Sequence, residues 1–178
     1  CQYTECLDKK PHFLYASSSQ ANQDNPYGKS KYDAEIILED YAKKNGTSVT
    51  IYRLPGVFGK WCRPNYNSVV ATYCHNIAND IPIKIDDPDA SVSLVYIDDV
   101  IDEFISRLGS VEKGVSYRDI NPQYSIKLKE LAENIYSIKE KRASFMTGRV
   151  GGGFGRCLYA TFLSYIKKEK FNYDLPKN

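Results

Sequence analysis

The feature that most constrains the fold is a strand, helix and strand pattern near the start of the 178-residue chain. An almost continuous apolar run, 12–16, ends in three serines, 17–19, which is typical of a parallel strand that is buried on both faces. Asn25 and Pro26 then suit the N-cap and the first position of a helix, which we predict over 27–45. A β-branched and aromatic second strand follows over 49–54. Together these elements predict a βαβ unit.

The rest of the chain continues to alternate helices and strands, which indicates an α/β protein. We predict a second helix over 67–79, a strand over 92–97, a third helix capped by Asp98, a fourth helix that contains 128–138, and a last helix over 158–166. The apolar faces expected to be buried are Ala34, Ile37, Leu38 and Tyr41 in the first helix, Ile101, Phe104, Ile105 and Leu108 in the third, and Leu128, Leu131, Ile135 and Ile138 in the fourth.

Composition argues for a small-molecule partner. Lys and Arg number 24 against 22 Asp and Glu, without long runs of one sign, so neither nucleic acid nor a membrane surface is an expected partner. No apolar run reaches the roughly 18 residues of a membrane span, and no signal peptide is visible. Five cysteines and two histidines show no zinc-site spacing, so we expect reduced thiols, no metal and a cytoplasmic location.

A glycine cluster at 149–156 resembles a phosphate-binding loop only superficially. The dinucleotide fingerprint needs its glycines between a strand and a helix of a βαβ unit, and no convincing strand precedes these. We therefore interpret the segment as a linker.

Tyr27, Lys31 and Ser19 are the candidate catalytic residues. Tyr27 and Lys31 lie four residues apart at the start of the predicted helix, so their side chains share one face. The charge of the lysine and the positive end of the helix dipole both favour the phenolate form, so the tyrosine can exchange a proton near neutral pH. Ser19, after the first strand, can hydrogen-bond the oxygen that gains or loses this proton.

The ordered pattern of Ser17-Ser-Ser19, Asn25-Pro-Tyr-Gly-Lys-Ser-Lys31, Arg53-Leu-Pro-Gly-Val-Phe-Gly59 and Tyr96-Ile-Asp-Asp-Val100 resembles the extended short-chain dehydrogenase/reductase superfamily of NAD-dependent epimerases and dehydratases. The resemblance implies the C-terminal part of a Rossmann-like doubly wound parallel sheet plus a small, mainly helical substrate-binding region. It assigns Ser19, Tyr27 and Lys31 to catalysis, and Tyr27, Lys31, Pro55, Val57 and Phe58 to NADP, with NAD as the alternative.

A narrower resemblance lies in 23–31 and 58–68, which are similar to reductases of capsular polysaccharide synthesis. It implies NADPH-dependent reduction of a 4-keto-6-deoxy UDP-N-acetylhexosamine to a talose-configured sugar, on the route to UDP-N-acetyl-L-fucosamine, by a homodimer. The chemistry of the segment after the second strand suits a UDP-sugar, because cations can meet the diphosphate and aromatic and amide groups can stack on and hydrogen-bond the uracil or sugar. The candidate substrate-binding residues are Lys60, Trp61, Arg63, Tyr66 and Asn67.

The resemblance also implies that the chain is a piece of a longer enzyme. Residues 1–60 would be the C-terminal part of the Rossmann domain and 61–178 the substrate-binding region, with 92–108 returning to the Rossmann domain. A glycine-rich half upstream and a metal-containing cupin domain downstream are expected, so the isolated chain is expected to be inactive. A UDP-sugar 4-epimerase or dehydratase of the same superfamily, or a catalytically silent nucleotide-binding module, are the alternatives.

Overall fold

The computed structural model describes residues 4, 6–8, 10–109, 112–146, 148 and 151–171. Five α-helices and six strands alternate along this part of the chain. The strands are β1 (Phe13–Ser18), β2 (Ser48–Leu54), β3 (Gly56–Phe58), β4 (Ser91–Tyr96), β5 (Gly114–Tyr117) and β6 (Gln123–Lys127). The helices are α1 (Pro26–Asn45), α2 (Val69–Ala78), α3 (Ile97–Arg107), α4 (Leu128–Ala143) and α5 (Gly153–Leu163), with 3-10 turns at Ser19–Asn22 and Lys168–Lys170.

The chain divides into two compact units. The first unit contains 1–55 and 97–123, and the second contains 56–96 and 124–178. Each unit has its own three-stranded sheet, with strand order β1-β2-β5 in the first and β3-β4-β6 in the second. The segment 92–108 is divided between the two units: 92–96 belong to the second unit and 97–108 to the first.

The βαβ unit predicted from the sequence is confirmed in the first unit. Strands β1 and β2 pair in parallel, with Phe13 opposite Val49 and Ser18 opposite Leu54, and α1 connects them. Strand β5 extends the sheet in parallel on the other side of β2. Because parallel strands end at the same edge, the carboxyl ends of β1, β2 and β5 lie side by side.

Helix α1 begins and ends where its local signals predict. Asn25 caps it by accepting a hydrogen bond from the Gly28 amide, and Gly46 ends it in the left-handed conformation at φ 60°. The predicted buried stripe is partly wrong. Leu38 and Tyr41 are buried, but Ile37 is exposed and Glu35 takes a buried position on the helix. The helix packs with Leu38 and Ala42 against β2, so Ile37 faces away from the sheet.

Helix α3 also differs from the prediction. Asp98 lies inside the first turn, because the helix begins at Ile97, so Asp98 is not the N-cap. Ile101, Ile105 and Leu108 are exposed, because the helix packs through Val100 and through Phe104, whose ring lies 5.0 Å from that of Tyr52.

The second unit has an aromatic and helical core. The Phe58 ring lies 5.3 Å from Tyr96 and 5.7 Å from Phe154, and Leu131, Ile135 and Leu158 are buried on α4 and α5. The last helix starts at Gly153, five residues before the predicted start, so the C-terminal part of the glycine cluster is helical rather than linker. Residues 149 and 150 of that cluster lie outside the described part of the chain.

Candidate active site

A close contact between α1 and the turn after β1 places the predicted catalytic residues. Ser18 ends β1 and its hydroxyl accepts a hydrogen bond from the Gln20 amide at 3.1 Å, which starts the 3-10 turn that carries Ser19. A Cβ at Gly28 would lie 2.2 Å from the Gln20 carbonyl oxygen and 2.8 Å from that of Gln23. Only glycine therefore lets the first turn of α1 approach the turn that bears Ser19 this closely.

Tyr27 occupies the second position of α1 and half of its side chain is exposed, at 50%. Ser19 is also exposed. Both hydroxyl groups are thus accessible to a ligand at the carboxyl edge of the sheet, where parallel α/β proteins bind their ligands.

Lys31 lies one turn beyond Tyr27, as predicted from the spacing. Its Nζ donates a hydrogen bond to the Ala16 carbonyl oxygen at 3.1 Å and lies 5.8 Å from the centroid of the Tyr27 ring. The same ammonium lies 5.4 Å from the Tyr15 ring. The strand end therefore holds the lysine next to the tyrosine, and the ammonium has two further hydrogens with which it could bind ribose hydroxyls.

Glu35 is not among the residues predicted from the sequence; it lies one turn beyond Lys31 and has no exposed surface, at 0%. Its carboxylate accepts hydrogen bonds from the Ser17 hydroxyl and from Arg53 Nη2 at 2.6 Å. The Tyr117 hydroxyl lies 3.2 Å from Glu35 Oε2 and 2.9 Å from Glu39 Oε1, so its one hydrogen is shared between the two carboxylates. Arg53 Nε also donates, at 3.1 Å to Oε1 and 3.2 Å to Oε2. The sequence signal that could have identified Glu35 is its position four residues after Lys31, which continues the spacing of Tyr27 and Lys31 by one more turn.

The charge state of this buried carboxylate is set by its donors. Burial raises the pKa of Glu35, but hydrogen bonds from Arg53 and Ser17 and the charge of Arg53 outweigh it, so the net pKa lies below its usual value. The hydrogen bond to Glu35 correspondingly raises the pKa of Arg53. Glu35 and Arg53 are therefore a charged pair that joins α1 to β2.

The residues predicted to line the nicotinamide differ in accessibility. Pro55, in the first unit, and Val57, on β3 of the second unit, are each partly exposed. Phe58 is buried in the aromatic core of its unit. Its side chain therefore contributes to packing, and its place on the cofactor rests on the sequence resemblance alone.

The predicted substrate-binding residues lie in the loop 59–67 of the second unit. Trp61 is 80% exposed, and Lys60 Nζ lies 5.8 Å from its ring centroid. The Arg63 guanidinium lies 5.2 Å from the exposed Tyr66 ring, and Asn67 is exposed as well. The loop thus presents two cation–aromatic pairs, Lys60 with Trp61 and Arg63 with Tyr66. Such a surface is suited to a nucleotide base and a diphosphate.

The backbone of this loop is attached to its own unit at several points. The Trp61 amide donates to the Ser164 hydroxyl at 3.3 Å, and the Cys62 carbonyl accepts from the Tyr165 hydroxyl at 2.5 Å. The Asn65 side chain exchanges two hydrogen bonds of 3.2 Å with Asn76 on α2. Trp61 has a positive φ of 62°, and Asn65 has one of 53°. These contacts attach the loop to α2 and to the segment after α5.

Among the described residues, no group of three or more His, Cys, Asp and Glu side chains could hold a metal ion. None of the helices described has the length and apolarity needed to cross a membrane. The described cysteines, Cys6, Cys62, Cys74 and Cys157, are free thiols, and Cys1 lies outside the described part of the chain.

The βαβ unit with serine, tyrosine and lysine at the carboxyl edge of a parallel sheet defines a Rossmann-like short-chain dehydrogenase/reductase. Comparison with known proteins agrees, since the sequence model of the NAD dependent epimerase/dehydratase family matches residues 1–121. The chain belongs to this family, and the predicted fold class is confirmed.

Individual relatives narrow the comparison. The chain is 50% identical over 177 residues to the UDP-2-acetamido-2,6-beta-L-arabino-hexul-4-ose reductase of Pseudomonas aeruginosa, covering 99% of this chain and 47% of the relative. It is 38% identical to the capsular polysaccharide assembling protein CapF from Staphylococcus aureus. The crystal structure of CapF superposes with a TM-score of 0.89, over 98% of this chain and 48% of CapF. The predicted resemblance to capsular polysaccharide reductases is confirmed by these two matches.

More distant neighbours share the fold alone. The UDP-glucose 4-epimerase of Thermus thermophilus in complex with NAD superposes with a TM-score of 0.69 at 16% identity, over 88% of this chain and 64% of the epimerase. The chain spans about half the length of the reductase and of CapF.

Proposed function

We propose that this chain carries the catalytic tyrosine and lysine of an NADPH-dependent reductase that converts a 4-keto-6-deoxy UDP-N-acetylhexosamine into a talose-configured UDP-sugar. In the cell this reaction would lead to UDP-N-acetyl-L-fucosamine for capsular polysaccharide. The observation that carries the proposal is the placement of an accessible Tyr27 beside Lys31, whose ammonium is bound to the end of the strand that leads to Ser19. The named activity of the 50% identical relative supports the substrate class.

The residues of the first unit fit one half of a carbonyl reduction. Reduction adds a hydride to the ketone carbon and a proton to its oxygen. Tyr27 would donate that proton, and Ser19 would donate a hydrogen bond to the same oxygen and align it. Lys31 would keep its positive charge near the phenol oxygen while the negative charge develops there.

A nicotinamide cofactor would supply the hydride when bound. The residues present fit one end of it, because the Lys31 ammonium uses one described hydrogen bond and keeps two hydrogens for ribose hydroxyls. Pro55 of the same unit offers partly exposed apolar surface for a nicotinamide ring, and the role of Val57 rests on the sequence resemblance. NADP rather than NAD is part of the proposal, as are the homodimer and the cytoplasmic location.

The loop 59–67 would hold the UDP part of the substrate. Arg63 and Lys60 would meet the diphosphate, because guanidinium and ammonium groups bind phosphate oxygens strongly. Trp61 and Tyr66 expose most of their rings and would stack on the uracil or the sugar, and Asn67 would hydrogen-bond them. Each of these roles is tested by the loss of substrate affinity on substitution.

The test is NADPH oxidation by the protein at its full natural length with a UDP-4-keto-6-deoxy-N-acetylhexosamine. Tyr27→Phe should lower kcat by about 10²- to 10⁴-fold, the usual contribution of a positioned acid. Tyr32→Phe is the matched control, because Tyr32 lies on the same helix with a similar exposure of 43% and should leave turnover unchanged. Absence of net NADPH consumption by the wild-type protein would refute reduction and would favour an epimerase or a silent binding module.

A further inference from the structure

Glu35 is unusual because a carboxylate without exposed surface lies on the catalytic helix yet has no place in the chemistry described above. Buried charges are costly unless they are paired and hydrogen-bonded. Glu35 meets this condition with full donors from two neighbouring strands, Ser17 on β1 and Arg53 on β2. The hydroxyl of Tyr117 on β5 is a third contact, which Glu35 shares with Glu39. One side chain of α1 is thus tied to the carboxyl end of every strand in the sheet of its unit.

The register of the sheet explains why the three donors converge. Ser17 is paired with Arg53 across β1 and β2, and Tyr117 is paired with Ile51, two residues before Arg53. The guanidinium of Arg53 also lies 5.1 Å from the Tyr117 ring centroid. Arg53 therefore contacts both Glu35 and Tyr117 in a fixed orientation, which a flexible lysine would not reproduce.

Four consecutive residues at the end of β1 each have a task in the candidate site. Ala16 accepts from Lys31, Ser17 donates to Glu35, Ser18 caps the turn, and Ser19 begins that turn. Tyr27, Lys31 and Glu35 follow one another at four-residue spacing on one face of α1, so this face is attached to the strand end at two successive turns. Any rotation or sliding of α1 that moved Tyr27 would have to break the Lys31 or the Glu35 contacts.

We propose that Glu35 and Arg53 are a positioning pair of the reductase site, which fixes the rotation of the catalytic helix relative to the strand end that carries Ser19. This role rests on the proposed function. The pair does not touch the substrate, and it acts by holding Tyr27 and Lys31 at their working distance from the ketone oxygen. Since a misplacement of about 1 Å can cost about 10²-fold in rate, loss of the pair should act on kcat.

The experiment compares Glu35→Gln with Glu103→Gln in the protein at its full natural length. Glu103 is the matched control, because it lies in the same unit, on α3, and accepts hydrogen bonds from Tyr52 at 3.0 Å and Arg107 at 2.9 Å without a link to α1. Activity is measured at a temperature at which circular dichroism shows both variants folded. Glu35→Gln should lower kcat by about 10- to 100-fold with KM for the UDP-sugar within about twofold, whereas Glu103→Gln should keep the wild-type kcat.

Conservative substitution separates positioning from bulk stability. Arg53→Lys keeps the charge but not the two-pronged contact, so its kcat should lie between those of the wild type and Arg53→Gln. The double variant with Glu35→Gln and Arg53→Gln should be no slower than the slower single variant, because both changes remove the same constraint. Additive losses would contradict a joint role of the two residues.

The proposal is overturned if the folded Glu35→Gln variant turns over as fast as Glu103→Gln. If Glu35→Gln does not fold, Ser17→Ala replaces it, since this change removes one donor and leaves the ion pair. The kcat of Ser17→Ala should then fall about three- to tenfold, and an unchanged kcat contradicts the proposal. If the wild type itself does not reduce the substrate, the proposed function fails first. Amide hydrogen exchange of 17–20 and 27–31 then decides the positioning role, because it should be faster in Glu35→Gln than in Glu103→Gln.

Discussion

Replacing Gly28 by alanine tests the contact on which the candidate site is built. The added methyl group would lie 2.2 Å from the Gln20 carbonyl oxygen, whereas ordinary contact begins at 3.4 Å, so the turn would have to retreat by about 1.2 Å. The Gln20 oxygen has little freedom to do so, because it accepts a hydrogen bond from the Gln23 amide at 2.8 Å. The Gln23 oxygen, at 2.8 Å from the new methyl, blocks a second direction.

The expected cost combines two opposing effects. Forcing a methyl group into a filled space costs about 1–3 kcal/mol, and clashes with backbone atoms belong at the upper end. Alanine regains up to about 1 kcal/mol over glycine within a helix. The free energy of unfolding should therefore fall by about 2 kcal/mol, which for a domain of this size lowers Tm by roughly 4–8 °C.

The assay is thermal unfolding followed by circular dichroism, together with NADPH oxidation. Because the turn that moves carries Ser19, Gly28→Ala should also lower kcat by about tenfold or more at a temperature where the variant is folded. Gly109→Ala is the control, since within the described part of the chain no atom beyond its chain neighbours lies within 4 Å of its added methyl group. A Gly28→Ala variant as stable and active as Gly109→Ala would show that the close approach of α1 to the turn does not exist.

Two further predictions concern the charge of Glu35 and the exposed loop. The pKa of Glu35 is below its usual value of 4.5, so its contribution to stability is present above that pH and is lost as the pH falls through the lower, folded-state value. The difference in free energy of unfolding between the wild type and Glu35→Gln should therefore shrink on acidification below about pH 4.5. A constant difference in urea titrations would contradict this. Trp61→Ala should raise the Kd for UDP in calorimetry by about 5- to 20-fold, with Tm unchanged because the ring is exposed. Tyr136→Ala is the control, since Tyr136 is exposed on α4, and equal UDP affinity of the two variants would exclude Trp61 from binding.

Features whose causes lie close together in the sequence were predictable. Helix α1 was predicted within one residue, because Asn25, Pro26 and Gly46 are local start and stop signals. The adjacency of Tyr27 and Lys31 follows from helical spacing alone. The parallel pairing of β1 with β2 follows from a strand, helix and strand order with a long connection.

Features that depend on distant partners were not predictable. The sequence does not mark Gly28 as a contact residue, because the atoms that exclude a side chain there belong to Gln20 and Gln23 and come close only in the folded chain. Glu35 finds its donors 18 residues away at Ser17 and Arg53, and 82 residues away at Tyr117. A glutamate in an amphipathic helix is ordinarily solvated, so only the folded sheet reveals that it is buried.

The same buried carboxylate explains the error in the hydrophobic stripe of α1. A helix that carries Tyr27, Lys31 and Glu35 on its sheet-facing side cannot also bury a continuous apolar stripe there. The apolar contact is confined to the C-terminal half, where Leu38 and Ala42 pack against β2, and hydrogen bonds and an ion pair take over in the N-terminal half. Hydrophobic periodicity predicted that Ile37 is buried because it considers apolar residues alone, whereas polar contacts attach the N-terminal half of this helix to its sheet. A polar attachment has a narrow geometric optimum, which is the property that a site for proton transfer requires.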